Sequence, residues 1–419
     1  MKRVGLVFGS RSVEHEVSVT TASKVYEILK LLTAEVEPVP LYVNRAGAWL
    51  SGRGVSRLLE VEAEGRSAQD LPRRKELQQL FKRALDALQA GDPVEDVESL
   101  FVSPDTSVRG LCQNPERAGW FRRRLQAGLD IAFPVVHGTH GEDGTLQGLL
   151  ELAGIPYVGP GVAASAVGMD KILSKLLFRG AGLPTVEATW FTRRQWLADE
   201  AAVTARVESD LTYPVIVKPA VAGSSVGIAR AANRAELAGA VRQAIQFAMR
   251  ILVERAVDDR LEVQCAVLGN HAPQVSECEE LVRVRGIVSF EDKYLRRAEQ
   301  VEEADLAPST IPARIPEELA RQVKALSLGA FQALDCRGIA RVDILVDRPT
   351  MRPYVNEVNT LPGSLCLRLW ESSGLKPADL VRRLLELAAE AHAEKVATRF
   401  TSEEGQAMVD KKHLMSPRK

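Results

Sequence analysis

Two acidic side chains in the last third of this 419-residue chain are spaced so as to face each other. The runs ARVDILVD (340–347) and RPYVNEVNT (352–360) read as strands joined by a turn-like DRPTMRP, with Thr350 at its middle. Side chains alternate faces along a strand, so Arg341 and Asp343 share one face, as do Glu357 and Asn359. Asp343 and Glu357 each lie seven residues from Thr350, so a symmetric hairpin sets them directly opposite each other. Facing carboxylates repel unless a cation sits between them. Such hard oxygen ligands, with the Asn359 amide oxygen, suit Mg²⁺ that also holds substrate phosphates. A solvated polar sheet face has the same spacing, and the pattern alone leaves both readings open.

Lys218 ends a second chemical signal, the apolar run YPVIVKP (213–219), and precedes AGSSVG (222–227). A loop rich in glycine, hydroxyls and backbone N–H groups is a phosphate cradle, or else a plain turn. It is not a Walker A loop, because the G-K-[ST] order is missing. The third signal is HGTHGEDG at 137–144. Two histidines three apart in a glycine-rich loop, with no further His or Cys nearby, argue against a transition metal. His137 at the end of a parallel strand is better placed to position a ligand, since α/β sheets bind ligands at strand carboxyl ends. Glu14 lies at the matching point after the first strand, where a helix-capping carboxylate is the alternative. GPGV at 159–162 lacks the strand–G-x-G-x-x-G–helix context of a dinucleotide site.

The elements that must hold these residues alternate. RVGLVF (3–8) reads as a buried strand, followed by a helix with Val25, Ile28, Leu29 and Leu32 at helical spacing. Strands follow at Val36–Val43 and Leu129–Val136, which points to an α/β layer on a parallel sheet. Between them the polar stretch 52–126, helical over Arg74–Ala90 and stopped by GDP at 91–93, reads as an insertion. Beyond it come a helix-rich segment at 163–183, further strands, a helix at Pro316–Leu334 and a last amphipathic helix at Pro377–Glu394.

Composition narrows the function class. With 54 Lys+Arg against 55 Asp+Glu, the net charge of −1 carries no footprint for nucleic acid. Five scattered cysteines (Cys112, Cys265, Cys278, Cys336, Cys366) without a C-x-x-C pair imply a reducing compartment and small buried hydrophobes. No run approaches a membrane span, and the first apolar run is stopped by Gly9 and Ser10 well short of a signal-peptide core. The expectation is a cytoplasmic protein with neither membrane nor nucleic-acid partner.

Read together, these residues resemble the D-alanine–D-alanine ligases of the ATP-grasp superfamily. The likeness lies in the ordered blocks SVEHEVS, HGTHGEDGTLQGLLELAGIPYVGPGVAASAVGMDK, YPVIVKPAVAGSSVG, EDKY, RGIARVD and NEVNTLPG, spread from residue 1 to about 395. It implies an α/β and α+β protein with the ATP-grasp fold. An N-terminal α/β domain (1–159, with the helical insertion at about 52–126) would precede two α+β domains (160–254 and 255–397) that clasp ATP, with a polar tail at 398–419. It implies Lys171, Lys218 and Lys293 at the ATP phosphates beside the Gly223–Ser225 loop, Glu254 on the adenine side and Glu262 on the ribose. Asp343, Glu357 and Asn359 match the ligands of two Mg²⁺, for which Mn²⁺ substitutes. Arg341 and the Gly363 backbone match the groups that stabilise the transferring phosphate and tetrahedral intermediate. Glu14, Ser224 and Tyr294 match a hydrogen-bonded triad that holds the first D-alanine's ammonium and ties a loop over the site. His137 matches a substrate-positioning histidine.

The implied activity is a two-step ligation of two D-alanines through a D-alanyl phosphate, for peptidoglycan synthesis, by a homodimer paired through its first domain. The chain departs from the family's pattern in having Gly9-Ser10 for a two-glycine turn. It also has a shortened segment after Gly363, where Ser364 takes the place of the serine that holds the second substrate's carboxylate. That shortening motivates the alternative, a ligase of the same scaffold using another D-amino acid or a D-hydroxy acid as acceptor. A catalytically dead nucleotide-binding scaffold is the reading from another class, and the intact metal-ligand positions argue against it.

Overall fold

A computed structural model describes residues 1–92, 94–108, 110–113, 125–221, 223, 226–281 and 309–399. Its first layer is built on β1 (Lys2–Gly9), buried from Val4 onward and paired in parallel with β2 (Val36–Val43) and β7 (Ile131–Pro134). A strand buried on both faces needs apolar residues at consecutive positions, which VGLVF supplies. Between β1 and β2 runs α1 (His15–Leu31), laying Val19, Ala22, Val25, Ile28 and Leu29 on the sheet. β7 is shorter than the expected strand over 129–136, because the chain turns into the HGTHGEDG loop.

The 52–126 segment is only partly helical. It contains α2 (Arg53–Ser67) and α3 (Leu71–Ala90), but also β4 (Glu98–Val102), β5 (Gly110–Gln113) and β6 (Leu125–Gly128). With β3 (Trp49–Ser51), these strands extend the first sheet antiparallel, in the order β6-β5-β4-β3-β2-β1-β7. Helix α3 ends where the sequence puts it, closed by Gly91 at φ 74°, but starts earlier than Arg74, at Leu71, where the Asp70 carboxylate accepts from Arg73 N at 2.9 Å.

Three helices lead out of this layer: α4 (Thr145–Leu152), α5 (Val162–Met169) and α6 (Lys171–Gly180). The break between the last two is made by Asp170, whose carboxylate accepts from Ile172 N and Leu173 N, both at 3.1 Å. That cap places Lys171 at the first position of α6. A four-stranded antiparallel sheet follows, built from β8 (Ala188–Thr192), β9 (Val215–Pro219), β10 (Ala229–Ala231) and β11 (Arg250–Arg255) in the order β10-β9-β11-β8. It is backed by α7 (Arg193–Ala198), α8 (Glu200–Asp210) and α9 (Arg234–Ala244) around Phe191, Trp196 and Ile251.

The third layer is an antiparallel sheet of β12 (Arg260–Leu268), β13 (Gln274–Val275), β14 (Glu279–Leu281), β15 (Ser309–Thr310), β16 (Ile339–Asp347) and β17 (Arg352–Asn359). Helix α10 (Glu317–Ala333) packs on it through Leu319, Val323 and Phe331. After α11 (Leu367–Ser372), the chain ends its described part in α12 (Pro377–Val396). That helix returns to the first layer, joining Leu380, Val381 and Leu384 to Val25 and Leu29 in one core. All five cysteines are free; Cys265 and Cys278 sit with their sulfurs 3.3 Å apart, while Cys112 and Cys366 are half-buried rather than buried.

The HGTHGEDG loop turns so tightly that one glycine is dictated by space. A Cβ on Gly141 would lie 1.8 Å from the Val136 carbonyl oxygen. Gly141→Ala is therefore expected to cost more than about 2 kcal/mol of stability, read as a lower urea midpoint at unchanged slope.

Candidate active site

The β16–β17 hairpin places its acids as their spacing implies. Asp343 pairs in register with Glu357, and Arg341 with Asn359. A bulge after Asp343 skips Asn356, so that Ile344 faces Val355. The Arg341 guanidinium forks onto Asp343, Nε to Oδ1 at 2.6 Å and Nη2 to Oδ2 at 2.8 Å, and Asn359 Nδ2 donates to Asp343 Oδ2 at 3.1 Å. Lys171 Nζ lies 3.5 Å from Glu357 Oε2. Each of the two carboxylates thus has its own cation. Burial pushes the Asp343 carboxyl up against the opposing pull of Arg341. Among the described residues no three of His, Cys, Asp and Glu converge on one point. The oxygen set here is two carboxylates and an amide, which fits a hard divalent cation rather than zinc.

The second sheet brings its lysine to the same place. Lys218 Nζ sits at the end of β9, 3.4 Å from Asn356 Oδ1 on the bulge. It also lies 2.5 Å from Glu254 Oε2, and the other oxygen of that carboxylate, Oε1, lies 2.7 Å from Lys175 Nζ. Burial would raise the Glu254 pKa, yet the two lysines hold it down to about 2. Glu262, on β12, accepts from Arg260 Nε at 3.1 Å.

Glu14 stands at the start of α1 without capping it through its side chain. A Cβ on Gly138 would come within 2.6 Å of Glu14 Oε2, and one on Gly223 within 2.7 Å. The Glu14 carboxylate therefore lies between Gly138 and Gly223, and the positive φ of 72° at Gly138 favours glycine there. His137 is buried, bonded through Nε2 to Thr21 Oγ1 at 3.0 Å, and burial lowers its pKa to about 4. A neutral imidazole follows at pH 7.

Glu142 ties this loop to the segment after β17. Its Oε2 accepts from Gly138 N at 2.7 Å and its Oε1 from Leu361 N at 3.3 Å. Burial, reinforced by the neighbouring Glu14 charge, raises its pKa to about 8. A carboxyl with a folded pKa above its unfolded value contributes stability that is complete below the unfolded value of 4.5. That contribution is lost as pH rises through about 8. Glu142→Gln is expected to flatten the decline in melting temperature between pH 5 and pH 8; an unchanged slope would contradict the shift.

Ser364, Leu365 and Cys366 all adopt left-handed backbone, with φ of 48°, 54° and 52°. Three such residues in succession are strained by roughly 1 kcal/mol each or more, a cost that recurs at ligand sites. The turn lays Ser364 against α1, where its Oγ accepts from Lys24 Nζ at 3.0 Å and its N–H reaches Thr21 Oγ1 at 3.5 Å. Gly363 stands open, since a Cβ there would meet nothing within 4 Å. Cys366 is pushed by burial up to about 12 and offers no thiolate.

The structure thus gathers Glu14, His137, Lys171, Lys218, Gly223, Glu254, Arg341, Asp343, Glu357, Asn359, Gly363 and Ser364 around the junction of the three sheets. Ser224, Ser225, Lys293 and Tyr294 lie outside the described residues. Sequence reasoning passed over Lys24, Glu142 and Lys175. A signal existed for Lys175: Ile172, Lys175 and Phe178 share the buried stripe of α6, where a lysine is out of place. Glu142 stood inside a loop already singled out. Nothing local marks Lys24, whose partner is 340 residues away.

Two family models match the chain, "D-ala D-ala ligase N-terminus" over residues 3–160 and "D-ala D-ala ligase C-terminus" over 177–386. The D-alanine–D-alanine ligase of Chloroherpeton thalassium is 38% identical over 398 residues, covering 94% of this chain and 98% of its own. That of Acetivibrio thermocellus is 36% identical over 396 residues, covering 93% and 96%. Among solved structures, the D-alanine–D-alanine ligase from Coxiella burnetii superposes with a TM-score of 0.72 at 28% identity, covering 94% of this chain and 95% of its own. The VanG D-Ala:D-Ser ligase from Enterococcus faecalis also gives 0.72, at 29% identity over 92% and 99%.

Proposed function

The chain belongs to the D-alanine–D-alanine ligase family, and we infer from that premise that it joins two molecules of D-alanine into D-alanyl-D-alanine for peptidoglycan synthesis, converting ATP to ADP and phosphate. The architecture is the ATP-grasp fold. The observation that carries the reading is that both family models match in order while Lys171 and Arg341 pair with the facing Glu357 and Asp343, and Lys218 reaches the neighbouring Asn356. The relatives matched over nearly the whole chain are D-alanine–D-alanine ligases, so a different acceptor is not favoured.

In the mechanism we propose, Glu14 takes the ammonium of the first D-alanine and neutral His137 orients its carboxylate. That carboxylate attacks the γ-phosphorus of ATP, breaking the bond to ADP and giving D-alanyl phosphate. The amine of the second D-alanine then attacks the acyl carbon, and phosphate leaves with the bridging oxygen. Lys171 and Lys218, with Lys293 in the same role, neutralise the phosphates beside Gly223, Ser224 and Ser225. Arg341 and the open backbone at Gly363 steady the negative oxygen of the tetrahedral intermediate. Ser364, with the charge of Lys24 behind it, takes the carboxylate of the second D-alanine. Glu262 receives the ribose hydroxyls, and β11 reaches the adenine side at the position of Glu254. Tyr294 and Ser224 complete the hydrogen-bonded triad with Glu14.

Divalent metal use goes with the family, and a bound metal neutralises the charge that gathers on the transferring phosphate. Asp343, Glu357 and Asn359 would hold it, as two Mg²⁺ for which Mn²⁺ substitutes. We further read the protein as a cytoplasmic homodimer paired through its first domain. No helix of the described residues is long and apolar enough to cross a membrane.

The test supplies the purified protein with ATP, Mg²⁺ and D-alanine, and with L-alanine or D-lactate as competing acceptors. One ADP per dipeptide of the mass of D-alanyl-D-alanine is expected, with neither competitor incorporated in preference. No ADP release with D-alanine present would sink the reading.

A further inference from the structure

Lys175 is a lysine placed where a leucine would be unremarked, 4% exposed between Ile172 and Phe178 on the buried stripe of α6. Its ammonium takes one oxygen of Glu254 at 2.7 Å, and Lys218 takes the other at 2.5 Å. Glu254 is itself 4% exposed. Two positive charges and one negative are thus sealed between α6, β9 and β11, and Lys218 alone of the three also reaches the hairpin, at Asn356. Such a group is poorly explained by stability, because replacing buried ions with well-packed apolar side chains is often neutral or stabilising.

The arithmetic of charge suggests another role. A Lys218–Glu254 pair by itself sums to zero, and the carboxylate would cancel the charge that a phosphate is to meet. With Lys175 on the far oxygen, the group sums to +1. The added cation does not face the hairpin; it neutralises Glu254 from behind. We propose that Lys175 is a positioning residue for the phosphate-transfer step, cancelling Glu254 so that Lys218 presents its charge to ATP. The inference rests on the proposed place of Lys218 at the phosphates. The direction of the shifts agrees with it: the lysines hold Glu254 ionised in spite of burial, and burial lowers the Lys175 pKa, so the ammonium depends on that carboxylate.

The test compares Lys175→Met, Glu254→Gln, the double variant and Lys218→Met in the full-length protein, measuring the KM for ATP and for D-alanine separately. Lys175→Met is expected to raise the ATP KM by about tenfold or more, as loss of a charged contact does, with the D-alanine KM values little changed. In the Glu254→Gln background the carboxylate to be cancelled is already gone, so adding Lys175→Met is expected to change the ATP KM by less than about threefold relative to Glu254→Gln alone. A structural role would make Lys175→Met cost as much in that background as in the unaltered protein, and that result, or an unchanged ATP KM in the single Lys175→Met variant, overturns the proposal. If Lys175→Met does not fold, the double variant against Glu254→Gln decides alone: an ATP KM within about threefold of Glu254→Gln supports the proposal, and a rise of about tenfold over it overturns it. An unchanged ATP KM in Lys218→Met would overturn the reading of Lys218 itself and the inference with it, which separates that failure from the others.

Discussion

Replacing Arg341 with methionine is expected to lower kcat by about 10³-fold or more, the largest effect of any substitution considered. The guanidinium forks onto Asp343 through two bonds, and it lies close enough to His137 to depress that imidazole. It therefore stands between the acids proposed to hold the metal and the group proposed to orient the substrate carboxylate. In the proposed mechanism a charge fixed there costs no reorganisation when negative charge builds on the transferring phosphate and then on the tetrahedral oxygen. Arg341→Lys keeps the charge but loses the fork, and about a 10²-fold loss is expected. The KM for ATP should move far less than kcat in both variants, because the interaction strengthens in the transition state. Steady-state kinetics with a thermal melt to confirm folding would check this. A kcat within tenfold of the unaltered value would remove Arg341 from the mechanism.

The second large effect concerns the facing acids. Glu357→Gln is expected to raise the Mg²⁺ concentration for half-maximal rate by about tenfold or more, since hard cations select sites by carboxylate number. A chelator should abolish the activity of the unaltered protein, and excess Mg²⁺ should restore it. Like charges directly opposite on paired strands are destabilising, so the metal-free variant should melt no lower than the metal-free original, even though the Lys171–Glu357 ion pair is lost. A Mg²⁺ dependence that does not shift would return the hairpin to the alternative of a solvated polar face.

The hairpin was legible because everything it needs is local. Strand period, turn residues and equal spacing about Thr350 predict that Asp343 meets Glu357, and the ladder reaches that register through the bulge that skips Asn356. The bulge beside it was not legible, since one unpaired residue leaves no trace in alternation. Helix α1 and strand β2 were readable for the same reason as the hairpin: their apolar periods are long and unbroken. The strands of the 52–126 segment were missed because they are only four or five residues long, and β4 buries only alternate positions, Leu100 and Val102. Short strands of that kind are held by the sheet they join rather than by their own pattern.

The site divides along the same line. Loops that carry their own glycines announced themselves, and Glu14 was found through its place after β1. The partners of Glu254 are a different matter. Lys175 lies on a helix 79 residues earlier in the chain and Lys218 on a neighbouring strand, so no spacing rule ties them to it. The meeting of Lys24 with Ser364 is likewise made by the packing of α12 and the left-handed turn against α1. Pairings set by packing across layers are read from structure alone.

The central claim is that a D-alanine carboxylate attacks ATP before any peptide bond forms, and one isotope experiment addresses it. D-alanine carrying ¹⁸O in both carboxyl oxygens is turned over with ATP and Mg²⁺, and the released phosphate is weighed by mass spectrometry. The account predicts one ¹⁸O in the phosphate for each dipeptide made, because the bridging oxygen of D-alanyl phosphate departs with phosphorus. Dipeptide formed with unlabelled phosphate would contradict it.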